Sequence, residues 1–275
     1  YAPRTDEVLR AEYNDRMVYT PKRFATVASM IANASVLQLN DIIQCDSFHA
    51  GILLPSSNQY KITTDTPDGM FVIDLGNGLS ATLQYNKTQL FIERIGAKPD
   101  LFSNELTGAI NPSRTDNLSV FNAAKAKGCT ILAFGAYYLS DKLDLGNSST
   151  EKRAKIIGDR CRNFDGFGST LGFDHNGDGV EFFAGAEASN LLIYKFGLNQ
   201  KTGVGLISNN THSADISNIT CRGWERAGDS FTWMSIYRGC IAYLCAHGFR
   251  IKTDSTSATH IGCYVRACDD TGFDI

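Results

Sequence analysis

Three oxygen-bearing side chains stand at alternate positions in the run FDHNGDGVEFF, which covers residues 173–183. They are Asp174, Asn176 and Asp178, and their spacing matches the opening of a calcium-binding loop. A complete loop needs a bidentate acid at its twelfth position, and that position is Gly185. We therefore interpret the run as a turn that enters a strand, and we predict no bound metal or other cofactor.

Four further acidic residues are candidates for a different chemistry, acid–base catalysis by a pair of carboxyl groups. In such a pair one group donates a proton and the other acts as base or nucleophile. Glu225 and Asp229 lie in one turn-rich stretch, and Asp269 and Asp270 lie in a comparable stretch later in the chain. Because Asp is common in turns, an ordinary solvated role is the alternative for each residue.

Aromatic residues near these acids are candidates for a surface on which the ring of a ligand could stack, because aromatic rings present broad apolar faces. These candidates are Trp224, Trp233 and Tyr237. We interpret three isolated histidines as structural or surface residues, namely His212, His247 and His260. The sequence contains no G-x-S-x-G elbow, no P-loop and no G-x-G-x-x-G motif, so the usual signatures of serine hydrolases and nucleotide-binding enzymes are missing.

The composition indicates a folded chain with a sizeable core. Of the 275 residues, 43% are hydrophobic and 20% are charged, and the formal net charge is −3. This charge provides no basic surface, and no apolar run reaches transmembrane length, so we predict neither nucleic-acid binding nor membrane insertion. Eight cysteines occur without a C-x2-C pair, which argues against zinc and favours reduced, buried thiols.

The first half of the chain contains the predicted helices. Residues 1–20 are interpreted as a polar arm and residues 21–91 as a small α+β module. Within the module, apolar residues at helical spacing predict a helix from Phe24, followed by short strands. Residues 92–128 are interpreted as a linker and a second helix, with Asp116 as its N-cap.

Beyond residue 128, short apolar runs alternate with turn residues, and the sequence repeats itself. Residues 189–193 resemble residues 217–221, and a second element recurs later in each repeat. We align the apolar member of this second element at Val180, Leu206, Phe231, Phe249 and Phe273. The resulting separations of 18–26 residues are typical of the coils of a parallel β-solenoid.

The solenoid also explains the run FDHNGDGVEFF. Side chains alternate between the two faces of a strand, so Val180 and Phe182 are predicted to point inward and Glu181 outward. We therefore predict a mainly β protein, with a parallel β-helix over residues 129–275.

Several segments, taken in order, resemble the pectate-lyase-like right-handed β-helix of bacteriophage tailspikes. The matching motifs are IGAKPD at 95–100, the helix start after TDN at 115–117, FGAYYL at 134–139 and GDGV at 177–180. The module at 21–91 resembles the small virion-proximal, particle-binding module found ahead of this helix in many tailspikes. The chain departs from the pattern at Pro99, at Phe134-Gly135 and in the additional segment 101–115.

The resemblance implies a virion-attached tailspike or tail fibre, made in the host cytoplasm and assembled as a homotrimer. Its N-terminal part would contact phage tail or baseplate proteins. Its β-helix would recognise and depolymerise a host surface polysaccharide, and glycoside hydrolysis is favoured over a lyase reaction. In that case two of the four acids would form the catalytic carboxyl pair, about 5–9.5 Å apart, and the three aromatic residues would stack against sugars.

Two alternatives stay open. One is a non-catalytic structural virion adaptor or receptor-binding fibre, and the other is a secreted polysaccharide-degrading enzyme of a bacterium. The chain starts without Met and ends inside a coil element with no polar cap, so we expect further coils and a trimerisation region outside it.

Overall fold

The computed structural model describes residues 21–52, 57–146, 154–159, 168–183, 185–197, 201–211, 214–232, 235–252, 255 and 257–274. The predicted arm at residues 1–20, Cys161, His212 and Trp233 lie outside this part of the chain. The chain forms two compact units, Tyr1–Gln84 and Tyr85–Ile275.

The first unit is a five-stranded sheet with one short helix. Its elements are β1 (Lys22–Thr26), α1 (Val27–Ala32), a 3-10 turn (Ala34–Val36), β2 (Ile42–Ser47), β3 (Asn58–Thr63), β4 (Val72–Asp74) and β5 (Ser80–Gln84). The strand order is β1-β2-β3-β5-β4; β1 and β2 are parallel and the other pairs are antiparallel. Met30, Ile43, Tyr60 and Ile62 are fully buried and form its core.

The helix of this unit begins later than predicted. Phe24 lies in β1, where it pairs with Cys45, and the helix begins at Val27. The physical reason is a capping box: the Thr26 hydroxyl accepts the Ser29 amide at 3.1 Å, and the Ser29 hydroxyl accepts the Thr26 amide at 3.0 Å. The apolar spacing that predicted a helix from Phe24 therefore crosses a strand–helix boundary.

The second unit contains nineteen strands among its described residues, most of them short. They are β6 (Gln89–Phe91), β7 (Phe102–Asn104), β8 (Ala109–Ile110), β9 (Thr130–Leu132), β10 (Ala136–Leu139), β11 (Leu143–Leu145), β12 (Lys155–Ile157), β13 (Thr170–Phe173), β14 (Val180–Phe182), β15 (Glu187–Lys195), β16 (Val204–Thr211), β17 (Asp215–Arg222), β18 (Arg226–Thr232), β19 (Ile236–Arg238), β20 (Ile241–Tyr243), β21 (His247–Ile251), β22 (Thr259–Ile261), β23 (Tyr264–Arg266) and β24 (Phe273–Asp274). A 3-10 helix (Ile92–Ile95) follows β6, and the helix α2 (Leu118–Ala126) precedes β9.

These strands stack as a parallel β-helix with three faces, which confirms the predicted fold class. The first face runs through β6, β9, β12, β15, β17, β19 and β22, and the second through β10, β13, β15, β17, β20 and β23. The third face runs through β11, β14, β16, β18, β21 and β24. The long strands β15 and β17 contribute to both the first and the second face. Every pairing on the three faces is parallel, whereas β7 and β8 form a separate antiparallel hairpin.

The bend between the first and second faces is built from residues with left-handed backbone conformation. Asn190 (φ 59°) and Asn218 (φ 52°) occupy it in β15 and β17, and Gly239 and Gly262 (both φ 59°) occupy it in the next coils. The Asn218 side-chain amide donates to the Asn190 side-chain oxygen at 3.2 Å. Asn and Gly are the residues that tolerate this conformation best, so the sequence fixes the bend at each level.

The register of the third face corrects one step of the predicted repeat. Val180 pairs with Leu206 and Phe249 with Phe273, as aligned, but the position between them is Gly228 rather than Phe231. A Cβ atom at Gly228 would lie 2.9 Å from the Phe249 ring. The large ring of one coil therefore fills the space that glycine leaves in the coil below, and apolar spacing alone points to the wrong residue.

The helix α2 covers the start of the β-helix. Its N-cap position is Asn117 rather than the predicted Asp116, although the Asp116 carboxylate accepts the Leu118 amide at 3.1 Å. Phe121 of α2 packs edge-on against Tyr137, with 5.5 Å between the ring centroids. No helix within the described ranges is both long and apolar enough to cross a membrane.

Candidate functional site

The turn in FDHNGDGVEFF directs its two carboxylates to different partners. Asp174 accepts hydrogen bonds from Arg114 and, at 2.8 Å, from the Tyr138 hydroxyl. Asp178 accepts the Val204 amide at 2.8 Å. Within the described part of the chain, no group of three or more His, Cys, Asp or Glu side chains is placed to hold a metal ion. The carboxylates thus connect the turn to neighbouring segments.

A protein cation holds the same turn. The Lys195 ammonium donates to the Gly177 carbonyl oxygen at 2.7 Å and lies 4.5 Å from the centroid of the Trp224 ring. The Lys195 residue is only 4% exposed. Burial lowers the pKa of Lys195 to about 8, although Asp178 and Glu225 favour its charged form.

The strand after the turn shows the predicted alternation. Val180 and Phe182 are buried in the core, and Glu181 lies on the outer side of β14. Glu181 is nevertheless only 6% exposed and forms an ion pair with Lys142. The outward-facing acid is therefore a covered structural group rather than a solvated one.

Asp229, the second of the candidate acids, is a buried counter-ion. Its carboxylate accepts two hydrogen bonds from Arg250, at 3.0 and 2.6 Å. Arg226 and Lys252 lie 3.4 and 3.5 Å from the same carboxylate, whose side chain is 4% exposed. With three cations around it and almost no exposure, this carboxylate is a structural ion-pair partner rather than a group that could reach a substrate.

Glu225 and Asp270 are exposed and lie at one corner of the β-helix, two coils apart. Backbone hydrogen bonds define this stack: Ala246 N donates to Trp224 O at 2.9 Å, and Asp270 N donates to Ala246 O at 3.0 Å. His247 N donates to Glu225 O at 2.7 Å in the same stack. Since adjacent strands are about 4.8 Å apart, the two backbones are separated by about 10 Å.

The acids at this corner have polar neighbours. The Asp269 carboxylate accepts a hydrogen bond from Lys201 Nζ at 2.8 Å. The Asp270 carboxylate lies 3.6 Å from Nδ1 of His247. The structure therefore brings Glu225, Asp269 and Asp270 to one exposed corner and places Asp229 elsewhere, inside an ion-pair cluster.

The prediction that Trp224 and Tyr237 stack against sugars is wrong, because both side chains are fully buried. Trp224 donates its indole N–H to Ile193 O at 3.0 Å, and the Tyr237 hydroxyl bonds to the Ser208 hydroxyl at 3.0 Å. A Cβ atom at Gly179 would lie 2.8 Å from the Trp224 ring. Glycine on the opposite face thus makes the interior wide enough for an indole.

The two described histidines of the predicted set make structural contacts. The His260 ring lies 4.8 Å from the Tyr237 ring and 3.2 Å from the Ser230 hydroxyl, and burial lowers its pKa. Nδ1 of His247 lies 3.0 Å from the Thr271 hydroxyl.

Sequence reasoning missed a column of side chains on the outer side of the second face. Successive strands place one residue each at the same level of the face, in the order Tyr138, Gly172, Tyr194, Arg222, Tyr243 and Arg266. The residue that precedes each of the first five is buried, so these six positions face outward. We call the five side chains of this column the tyrosine–arginine strip. The first four of them are half-buried and Arg266 is exposed.

The additional segment 101–115 forms the wall at one end of this strip. Leu101 and Phe102 pack with Phe196 in a small buried cluster outside the β-helix. A Cβ atom at Gly172 would lie 2.5 Å from Leu101 Cδ2, so glycine is needed where the segment crosses the face. The ring centroids of Phe102 and Tyr194 are 6.4 Å apart. The departure from the tailspike pattern therefore shapes the second face.

Arginine side chains stack on the tyrosines of the strip. The Arg222 guanidinium lies 5.4 Å from the Tyr194 ring centroid and 5.5 Å from that of Tyr243. Arg114 lies 4.3 Å from the Tyr138 ring centroid. Such cation–π contacts orient the planar guanidinium groups along the face.

The third face carries a column of a different kind. Its outward positions, in order, are Asp144, Glu181, Ile207, Asp229, Arg250 and Asp274. Glu181 pairs with Lys142 and Asp229 with Arg250. The buried charges of this column are thus neutralised within the protein.

The cysteines of the described residues are free thiols, in agreement with the predicted reduced state. Cys45, Cys129, Cys221, Cys240 and Cys245 are buried, whereas Cys263 and Cys268 are half-buried.

Comparisons with known proteins agree with this architecture. No family model matches the chain, and no curated protein matches its sequence. Among solved structures, full-length tailspike protein 2 of an Escherichia coli O157:H7 bacteriophage aligns with 98% of this chain and 38% of its own, at 15% identity and TM-score 0.60. The tailspike of an Acinetobacter phage, AS12, aligns with 92% of this chain and 46% of its own, at 16% identity and TM-score 0.60.

A third neighbour is the tailspike of the Acinetobacter baumannii bacteriophage Fri1, described as a capsular polysaccharide depolymerase. It aligns with 91% of this chain and 54% of its own, at 13% identity and TM-score 0.60. The chain thus spans between 38% and 54% of the length of these structures. It has the tailspike-like parallel β-helix fold.

Proposed function

We propose that the chain is part of a phage tailspike that binds a host surface polysaccharide during adsorption and depolymerises it. The observation that carries this proposal is the outward tyrosine–arginine strip on a tailspike-like β-helix. Tyrosine rings provide stacking faces for sugars, and guanidinium groups provide directional hydrogen-bond donors. The neighbour from phage Fri1, described as a capsular polysaccharide depolymerase, supports the same reading.

For the reaction we propose Glu225 and Asp270 as the carboxyl pair. Both are exposed at one corner, two coils apart, and backbones about 10 Å apart allow the two side chains to approach to the carboxyl separation that inverting glycosidases use. One group would protonate the leaving oxygen, while the other would remove a proton from the attacking water. Asp269 is the neighbouring alternative to Asp270, and Asp229 is the least suited of the four because its carboxylate is buried among cations.

The assembly belongs to the same proposal. We propose a homotrimer in the virion tail, made in the host cytoplasm, in which the module at 21–91 contacts phage tail or baseplate proteins. The free, largely buried thiols suit synthesis in a reducing compartment.

The test is to incubate the full-length protein with purified capsule or lipopolysaccharide of a sensitive host and to measure new reducing ends. We expect Glu225→Gln and Asp270→Asn each to slow product formation by about 100-fold or more. Asp215→Asn, an exposed acid on the first face, is the matched control and should retain the wild-type rate. Product formation that survives both substitutions would place the reaction at other residues.

A non-catalytic adaptor or receptor-binding fibre is the second candidate. It is favoured by one observation: Asp269 accepts a hydrogen bond from Lys201 and Asp270 lies 3.6 Å from His247, so both acids have partners within the protein. Tight binding of the polysaccharide without any product would establish this candidate and exclude the depolymerase.

A further inference from the structure

The tyrosine–arginine strip places aromatic rings and a guanidinium group on neighbouring strands. Tyr194, Arg222 and Tyr243 occupy three successive levels of the second face, and adjacent parallel strands are about 4.8 Å apart. The Arg222 guanidinium therefore lies between two phenol rings, 5.4 and 5.5 Å from their centroids. A sugar ring stacked on either tyrosine would have its ring substituents next to a cation.

The protein holds one of its own carboxylates with the same combination of groups. Asp174 accepts hydrogen bonds from Arg114 and from the Tyr138 hydroxyl, while the Arg114 guanidinium stacks 4.3 Å from the Tyr138 ring centroid. The Arg114 and Asp174 side chains are 19% and 28% exposed. At the first level of the strip, a tyrosine and an arginine thus hold a carboxylate in a partly solvated setting.

The hairpin β7–β8 closes one end of the strip. Leu101 covers Gly172, and Phe102 lies 6.4 Å from Tyr194, so the level between Tyr138 and Tyr194 is closed. From Tyr194 onward the side chains of the strip are half-buried or exposed, ending with Arg266. An extended polymer can therefore lie along the strip from Tyr194 to Arg266, across successive strands.

The charges of the strip are a local feature. The whole chain has a formal net charge of −3, whereas the outward column of the second face carries Arg222 and Arg266 and no acid. An anionic polymer would be disfavoured by the average surface and attracted by Arg222 and Arg266. Charge complementarity thus selects the second face for an anion.

We propose that the tyrosine–arginine strip binds a polysaccharide whose repeating unit carries a carboxylate, as in a uronic acid. This assignment rests on the proposed polysaccharide function and adds the chemical class of the sugar. The pyranose ring stacks on Tyr194 or Tyr243, and the carboxylate accepts the paired N–H donors of Arg222, whose planar fork matches the two carboxylate oxygens.

The experiment measures binding of the full-length protein to capsular polysaccharide purified from a strain to which it adsorbs. The polysaccharide is used in its native form and after its carboxyl groups have been reduced to alcohols. The variants are Arg222→Gln and, as a matched control, Arg238→Gln. Arg238 is a half-exposed arginine on the first face, 3.6 Å from Asp215. Thermal unfolding of each variant checks that the fold is intact.

We expect carboxyl reduction to weaken wild-type binding about tenfold or more, because a charge-assisted hydrogen-bond pair is lost. Arg222→Gln should weaken binding to the native polymer by a similar factor and should no longer distinguish the native from the reduced polymer. Arg238→Gln should bind both forms as the wild type does.

Different results would overturn the carboxylate assignment and the proposed polysaccharide function. Equal binding of native and reduced polymer, or wild-type affinity in Arg222→Gln, would overturn the carboxylate assignment and leave polysaccharide adsorption standing. Failure to bind the native capsular polysaccharide of the strain to which the protein adsorbs would overturn the proposed function together with this inference.

Discussion

The second and third faces of the β-helix use the same backbone for opposite purposes. On both, parallel pairing places one outward residue per coil in a straight column. Two acids of the third face are covered and paired, Asp229 with Arg250 and Glu181 with Lys142. On the second face Arg222 and Tyr243 of the strip stay half-buried, and Arg266 is exposed. Register therefore creates columns, and burial decides whether a column stabilises the coil or presents a surface.

The largest effect that separates the two faces is expected at Asp229. Asp229→Asn leaves Arg226, Arg250 and Lys252 around a neutral amide, and we expect the free energy of unfolding to fall by about 3–5 kcal/mol. Chemical denaturation of the full-length protein measures this loss. Asp215→Asn, an exposed acid of the first face, should cost less than about 1 kcal/mol. Equal losses in the two variants would contradict the division into covered and exposed columns.

The second-largest effect on stability is expected in the segment 101–115, which borders the second face. Leu101 is fully buried against Gly172, whereas Leu106 in the same hairpin is 89% exposed. Leu101→Ala should destabilise the packed hairpin by about 2–4 kcal/mol and increase amide hydrogen exchange over residues 102–110. Leu106→Ala should leave the exchange pattern as it is. Unchanged protection in Leu101→Ala would show that the hairpin is held by other contacts.

A smaller effect is expected from Lys195, whose pKa of about 8 in the folded protein lies below its ordinary value of 10.5. As the pH rises, the folded state releases this proton before the unfolded state does. Lys195 therefore contributes stability that grows from about pH 8 to about pH 10.5 and is lost as the pH falls through about 8.

The measurement is the difference in unfolding free energy between the wild type and Lys195→Met. We expect this difference to shift in favour of the wild type by roughly 1–2 kcal/mol between about pH 7.5 and about pH 10. A difference that stays constant with pH would show that the ammonium is as well solvated in the folded protein as in the unfolded chain.

The smallest effect on stability is expected from an exposed ion pair on the first face, which serves as the reference for the other two faces. Lys155 and Glu187 form an ion pair on the first face, and their side chains are 40% and 41% exposed. Glu187→Gln should change the free energy of unfolding by less than about 1 kcal/mol, and the change should shrink in high salt. A larger loss would mean that exposed ion pairs also stabilise this β-helix, which would weaken the contrast between covered and exposed charges.

The sequence predicts the parallel β-helix because the coil repeat is long and its apolar positions recur. It misplaces the repeat at Phe231 because the stacked residue is Gly228, whose space is filled by the Phe249 ring of the next coil. Apolar spacing detects the side chains that fill a core but not the gaps that receive them. The start of α1 was misplaced for a related reason, since the same apolar pattern continues through β1.

The site was less accessible to prediction. Trp224 reads as a surface platform because it stands beside acidic and basic residues, yet Gly179 opens the interior for its ring. The spacing of residues in the sequence does not reveal the tyrosine–arginine strip, because its members are separated by whole coils of unequal length. Only the strand register brings Tyr194, Arg222 and Tyr243 together. Once the coils are aligned, the signal is a Tyr or Arg after the buried residue of the second face, which occurs at Tyr138, Tyr194, Arg222 and Tyr243.

The unequal coils have an evolutionary consequence. Turns absorb the difference in length between one coil and the next, while Asn190, Asn218, Gly239 and Gly262 keep the bend at the same level in four successive coils. Exchange of one of these coils would therefore leave the outward columns aligned, whereas core contacts between coils, such as that of Gly228 with Phe249, restrict which coils can be neighbours. Sequence variation within a single coil would then change only one outward residue in each column.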